Sequence, residues 1–336
     1  MNRWVTRFVW ASAISVAAAG GVVAGPGEDE SAAIAAYQAK DYPKAFALIR
    51  PLAEQGSARA QYDVAGLYAN GNGVAKDETQ AFGWYKKAAE QGLAPAEVAL
   101  AQCYAEGAGV PRDGAAAKHW FTVAATNGYG PAEMMLGMGA MFGGSDNTDA
   151  AHWLRKAADE GYTPAIVMLA QSHAMNFNSS TEQAEAARWY RKAVDQGDPT
   201  AMTSLADLYA RGRGVPEDNA EANRLLTMAA EHRDARAENQ LALVYGMGRG
   251  VPKDTVQANM WLDLSQRDTP VPTGPLAETA KEMSKSVNSM LSAFAGKPTP
   301  EQLAEAHRLA DAWASAHPQP PPEADDPPSW IVDAAK

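Results

Sequence analysis

The chain is 336 residues long, with 29 basic against 40 acidic residues, a net charge of −11 and a single cysteine. The acidic balance argues against nucleic-acid partners, which need clustered Lys and Arg, and one cysteine excludes an intramolecular disulfide framework and a multi-cysteine zinc site. Alanine, the strongest helix former, is the most abundant residue, so the composition predicts an all-helical protein.

Residues 1–24 have the pattern of a secretory signal peptide. Arg3 and Arg7 precede an apolar stretch that begins at Phe8, and small residues lead to Ala24 just before an acidic run. We expect cleavage after Ala24, a periplasmic or secreted protein, and no stable membrane insertion after cleavage. The alternative is an uncleaved membrane anchor, because the apolar stretch approaches the length of a short membrane span.

One unit is repeated along the middle of the chain. A Gly-x-Gly-Val turn, an aspartate, and a tryptophan followed by two alanines recur in that order, in units that begin near Ala58, Ala94, Gly130, Thr163, Pro199 and Ala235. The third unit is shorter than the others. Such a period predicts stacked helix hairpins, because one hairpin alone cannot bury both of its apolar faces.

Glycine pairs and aspartates mark the turn inside each well-formed unit. The glycines supply positive φ for chain reversal, and the aspartate is placed to cap the following helix. The predicted turn and cap residues are Gly71, Gly73, Asp77, Gly107, Gly109, Asp113, Gly212, Gly214, Asp218, Gly248, Gly250 and Asp254.

This repeat pattern resembles that of the Sel-one-like repeat (SLR) family, a relative of the tetratricopeptide repeat. The resemblance implies a right-handed α-solenoid of antiparallel helix hairpins. It predicts a tetratricopeptide-like hairpin at 28–56, six SLR repeats at 58–269 and a C-terminal helical cap at 276–317. Residues 318–336 are too rich in proline for helix, and we expect an extended, disordered tail.

Candidate catalytic and metal-binding residues are weighed against their equivalents in other repeats. Cys103 shares a column with Leu67 and Leu208, which favours a small core residue over a reactive thiol. His119 and His152 occupy a variable position that indicates the surface. No hydrolase, metalloprotease or phosphate-loop motif occurs. We therefore predict no catalytic residue, no metal and no cofactor.

A methionine-rich stretch in the third and fourth units is the candidate partner site. Met135, Met138, Phe142, Met168 and Met175 replace mostly polar residues of other units on the face assigned to the groove. Methionine suits adaptable binding of a partner helix or extended peptide, yet it is also a common gap-filler in irregular cores. Both interpretations remain open at this point.

The resemblance implies a non-enzymatic scaffold or adaptor that binds a peptide or helix of a partner protein of unknown identity in the solenoid groove. Together with the signal-like N-terminus, it predicts a protein of the bacterial cell envelope. One alternative is a cell-envelope enzyme or binder acting on peptidoglycan or β-lactams. Relatives linked to those ligands carry paired cysteines, which this chain lacks. Another is a membrane-anchored assembly factor that retains its signal.

Overall fold

The computed structural model describes residues 28–143, 147–269, 289, 293–294 and 296–318. The predicted signal peptide, the first part of the predicted C-terminal cap and nearly all of the predicted tail lie outside these residues. Every regular element in the described part is an α-helix. The helices are α1 Glu28–Gln38, α2 Tyr42–Glu54, α3 Ala58–Asn70, α4 Glu78–Ala89, α5 Ala94–Glu106, α6 Gly114–Thr126, α7 Gly130–Gly143, α8 Asn147–Asp159, α9 Thr163–Ala174, α10 Ser180–Asp195, α11 Pro199–Arg211, α12 Asn219–Glu231, α13 Ala235–Met247, α14 Thr255–Asp268 and α15 Pro300–Ala316.

The described residues divide into two compact units, the first ending at Ala165 and the second beginning at Ile166. Consecutive helices contact each other from α1 to α8 in the first unit and from α10 to α15 in the second. Serial contact of neighbouring helices is the hallmark of repeat architectures. The predicted all-α solenoid class is confirmed.

The four aspartates of the repeat turns lie at the N-caps of the following helices. Asp113 accepts hydrogen bonds from the backbone N–H groups of Ala115 and Ala116 at 2.9 and 3.0 Å. Asp77, Asp218 and Asp254 make the same pair of bonds at the starts of α4, α12 and α14. Each cap therefore satisfies backbone donors that a helix start leaves free.

Both glycines of each turn have positive φ, but they do different work. The first, such as Gly107 with φ +79°, ends the preceding helix in the left-handed conformation. The second, at Gly73, Gly109 and Gly214, approaches the backbone of an earlier helix so closely that a Cβ would overlap it. At Gly109 a Cβ would lie 2.0 Å from the carbonyl oxygen of Glu78, and at Gly214 it would lie 2.2 Å from the carbonyl carbon of Gln183. At these turns the backbone of one hairpin thus packs directly against the preceding hairpin.

The core is built from equivalent positions of successive repeats, some with small side chains and some with large ones. The alanine pairs after the repeat tryptophan are almost completely buried, as at Ala124 and Ala125. Trp189 and Trp261 are buried, whereas Trp84, Trp120 and Trp153 are half-buried and pack against the core clusters of the first unit. Close approach of helices through alanine leaves the tryptophans as the large side chains that fill the remaining space.

The last described helix, α15, packs against α14. The Trp313 ring of α15 meets the Trp261 ring edge-on, with the ring centroids 4.8 Å apart. Thr299 and Gln302 form a capping box at its start. This helix lies inside the segment predicted as a C-terminal cap, and it covers the end of the second unit.

Candidate interaction site

The predicted methionine patch is not gathered within one unit. Met135 and Met138 lie in the first unit and are half-buried, and Met135 packs against a core cluster that contains Leu136. Met168 lies half-buried in the second unit, whereas Met175 is 74% exposed. The Phe142 side chain lies outside the described part of the structure. Met135 thus contributes to the core of its own unit, and Met175 is the most exposed of the four patch members whose side chains are described.

The connection between α9 and α10 differs from the glycine turns. It exposes Met175 and Phe177, by 74% and 67%, more than any other large apolar side chain in the described part of the chain. The buried Gln183 side chain fixes the backbone of this connection, because its Nε2 donates to the carbonyl oxygens of Ala174 and Asn176 at 2.8 and 3.1 Å. The connection therefore displays two apolar side chains on a hydrogen-bonded backbone.

A second contact closes the base of this connection. His173 Nδ1 lies 2.6 Å from Glu182 Oε2, joining the end of α9 to the first turn of α10. In four other repeats the position of His173 holds a tyrosine, so the sequence predicts a packed or hydrogen-bonded substitute. The contact with Glu182 confirms that His173 is a hydrogen-bonded substitute.

Phe177 borders an open groove of the second unit with a cavity volume of about 260 Å³. Side chains from α10, α11 and α13 complete its walls, together with the turn after α11. The lining residues are Ala174, Phe177, Gln183, Tyr190, Thr203, Ser204, Asp207, Leu208, Arg213, Arg236 and Gln240. We call this feature the α10–α11 groove.

Two polar atoms in the walls of the α10–α11 groove have no hydrogen-bond partner among the described residues. They are the Thr203 hydroxyl and the Gln183 side-chain carbonyl oxygen, and both residues are at least 95% buried. A buried polar group without a partner costs free energy comparable to that of a lost hydrogen bond. The groove wall thus contains one hydroxyl, which can donate, and one amide carbonyl oxygen, which can accept.

Charges in the groove are mostly paired within the chain. Asp207 accepts from Arg211 at 2.5 Å, and Arg236 donates to Asp234 and to the Thr200 hydroxyl, each at 3.0 Å. Burial raises the pKa of Tyr190 above its ordinary value, which keeps its phenol protonated as a hydrogen-bond donor. The groove thus has apolar, hydrogen-bonding and charged walls suited to a polypeptide segment.

The described residues give little support to a reactive thiol, a metal site or a membrane-spanning helix. Cys103 is buried, and burial raises the pKa of its thiol to about 11, which suppresses the reactive thiolate. His119 and His152 lie on the surface. Within the described ranges, no three His, Cys, Asp or Glu side chains cluster as a metal site. None of the described helices combines the length and the apolar character that a membrane crossing requires.

Sequence reasoning missed a buried polar column at the start of the first helix of several repeats. Gln61, Glu97, Glu133 and Glu238 are all at least 95% buried. Glu133 is paired with Lys156 of the following helix. Burial raises the pKa of Glu97, Glu133 and Glu238. The signal was visible, because glutamate and glutamine recur at one repeat position among otherwise apolar residues.

Comparison with models of known protein families tests the resemblance to SLR proteins that the repeats suggest. The Sel1 repeat model matches residues 36–57, 58–93, 94–129, 129–162, 165–198, 199–234 and 235–265. The chain belongs to the Sel1 repeat family. The match has seven copies where the sequence predicted six, and the additional copy falls on the segment predicted as a tetratricopeptide-like hairpin.

Solved structures contain similar Sel1 repeat proteins. One from Oxalobacter formigenes is 28% identical and aligns over 70% of this chain and 98% of its own, with a TM-score of 0.61. The protective antigen c5321 of uropathogenic Escherichia coli, which displays an SLR fold, is 24% identical over 90% of this chain and 69% of its own, with a TM-score of 0.41. No curated protein matches the chain. Sel1 repeat proteins generally mediate protein–protein interactions and are typically non-enzymatic.

Proposed function

We propose that this Sel1 repeat protein is an exported scaffold of the bacterial cell envelope that binds a segment of a partner protein in the α10–α11 groove. The observation that carries the proposal is the exposed Phe177, which borders a groove whose walls hold two buried polar atoms without a hydrogen-bond partner among the described residues. Met175 is exposed on the same connection. Exposed apolar side chains next to unsatisfied polar groups are typical of surfaces that a partner covers.

Export is supported by the first residues of the chain. Basic residues, an apolar stretch and small residues before an acidic run follow the order of a cleaved signal. Sequencing the N-terminus of the protein purified from its native envelope tests this part. A chain that starts after Ala24 supports export with cleavage, whereas a chain that starts at Met1 overturns the cleavage.

Site-specific photo-crosslinking tests the groove in the full-length protein. Phe177 is replaced by p-benzoylphenylalanine, with the same replacement at His119, an exposed aromatic residue of the first unit, as the matched control. We expect a discrete light-dependent adduct from position 177 and none of that mass from position 119. Equal adducts from both positions, or none from position 177, would overturn binding at this groove.

A further inference from the structure

We infer that the segment bound in the α10–α11 groove is an extended peptide with an acidic side chain, whose carboxylate pairs with Arg213. The inference rests on the proposed function and names the chemistry of its partner. Three features of the groove support it: the guanidinium of Arg213, which has no carboxylate partner among the described residues, the Phe177 ring beside it, and the buried polar atoms of Thr203 and Gln183.

Arg213 is the groove cation without a carboxylate partner among the described residues. Its guanidinium lies 5.2 Å from the centroid of the Phe177 ring, whereas the neighbouring Arg211 and Arg236 each hold an aspartate. The chain carries a net charge of −11, so an arginine without a counter-ion is not a consequence of a scarcity of carboxylates. A ligand carboxylate would supply the missing charge.

Phe177 prepares Arg213 for such a ligand. A guanidinium that lies over an aromatic ring keeps its N–H groups free for hydrogen bonds around its edge. Those N–H groups match the two oxygens of a carboxylate, and the exposed part of the Phe177 ring offers apolar contact beside it. The arrangement therefore favours an acidic residue next to an aromatic or aliphatic one.

The buried polar pair favours a peptide over a small anion. The Thr203 hydroxyl can donate, and the Gln183 carbonyl oxygen can only accept. A peptide group carries one acceptor and one donor, which match this hydroxyl and this carbonyl oxygen in kind, whereas an unprotonated inorganic anion offers acceptors alone. An extended segment also exposes its backbone groups, which a helix uses internally.

The repeat itself supplies matched variants of Arg213. The position between the two glycines of the turn is Asn72, Ala108, Arg213 and Arg249 in the four well-formed turns. Alanine already occupies it at Ala108, so Arg213→Ala is compatible with folding. Arg249 is exposed at the equivalent place one repeat later and does not line the groove, which makes Arg249→Ala the control.

The test selects a phage-displayed library of random short peptides on the immobilised full-length protein. We expect enriched peptides to carry Asp or Glu beside an aromatic or aliphatic residue. Their affinity, measured by fluorescence anisotropy, should fall about tenfold or more in Arg213→Ala, as for loss of a charge-assisted hydrogen bond, and stay unchanged in Arg249→Ala. Added salt should weaken binding by the wild type more than by Arg213→Ala. Circular dichroism verifies the fold of each variant.

Other results separate failure of the inference from failure of the proposed function. Selected peptides that need Phe177 but show no acidic preference, and that bind Arg213→Ala unchanged, overturn the acidic-peptide inference and leave the scaffold function standing. Both proposals fail if no adduct forms at position 177 and, in addition, either no peptide is enriched or the enriched peptides bind Phe177→Ala unchanged. A dimer in sedimentation equilibrium that Phe177→Ala abolishes would instead make the occupant a second copy of the chain, which also overturns the peptide.

Discussion

Arg233 holds Asp268 through two parallel hydrogen bonds, from Nε to Oδ2 and from Nη2 to Oδ1, each 2.5 Å long. Its remaining Nη1 donates to the carbonyl oxygen of His317 at 2.9 Å. Both Arg233 and Asp268 side chains are buried, with 7% and 1% exposure. One guanidinium thus fastens the end of α12 to the ends of α14 and α15.

Arg233 stands where other repeats have glycine, and we expect two substitutions there to separate its roles. It adopts φ +60°, like the positive-φ glycines at Gly92, Gly128, Gly161 and Gly197. Arg233→Ala should lower the free energy of unfolding by about 3–5 kcal/mol, because it removes the cation that two hydrogen bonds join to the buried Asp268 carboxylate. Arg233→Gly loses the same bonds but relieves the left-handed strain, so it should be about 1 kcal/mol less damaging. Urea denaturation measures both, and equal losses would contradict the strain argument.

Glu238 should make stability fall as the pH rises. Burial, with the nearby Asp268 carboxylate as a smaller cause, raises the pKa of Glu238 to about 9 from about 4.5. Between these values the native state keeps a proton that the unfolded chain loses, so this carboxyl penalises folding increasingly from about pH 5 to about pH 9.

Glu238→Gln removes this penalty, and Gln61 shows that glutamine fits the same repeat position. The difference in unfolding free energy between Glu238→Gln and wild type should therefore move in favour of the variant as the pH rises, by on the order of 1 kcal/mol per pH unit. Urea titrations from pH 5 to pH 9 supply the comparison. Parallel curves for the two proteins would show that Glu238 does not titrate in this way.

Gly83 and Gly109 should respond oppositely to alanine. Gly83 lies inside α4 with nothing within 4 Å of an added Cβ, so Gly83→Ala should stabilise the protein by about 0.5–1 kcal/mol through its helix propensity. At Gly109 the φ of +70° and the Glu78 carbonyl oxygen both oppose a side chain. We expect Gly109→Ala to destabilise by more than about 1–2 kcal/mol. Thermal denaturation should shift in opposite directions, and a tolerated Gly109→Ala would refute the contact.

Asp113 offers a test of the caps. Its side chain accepts two backbone hydrogen bonds at the start of α6, so Asp113→Ala should cost about 1 kcal/mol of unfolding free energy. Asp113→Asn retains an accepting oxygen and should cost much less. Equal losses in the two variants, measured by urea denaturation, would mean that the carboxylate charge matters more than the hydrogen bonds.

Met135 and Met138 test the alternative partner surface that the sequence suggests. Because Met135 packs against Leu136 and its core cluster, we expect Met135→Glu/Met138→Glu to lower the thermal midpoint. The wild-type affinity for the selected peptides should persist in whatever fraction remains folded. Unchanged folding combined with lost peptide capture would move the binding site to these methionines.

The sequence predicts the repetitive parts of the molecule well because each depends on local chemistry. Aspartate caps and positive-φ glycines act within a few residues of themselves, so Asp113 and Gly107 are readable from their spacing. The groove is not readable in this way. It depends on the irregular connection at Phe177 and on Thr203 and Gln183 from separate helices lining one cavity, and no local pattern records which polar atoms are left without partners.

The close backbone approach at Gly109 and Gly214 also limits how the chain can change in length. Since main chain meets main chain there, the register between hairpins is set by residue count instead of by side-chain identity. A short insertion between turn and helix would displace that contact and the hairpin that it positions. Duplication or deletion of one complete repeat recreates the same contact at the new junction. We therefore expect the protein to tolerate the gain or loss of a whole repeat better than a shorter insertion, and substitutions of groove side chains to leave these backbone contacts in place.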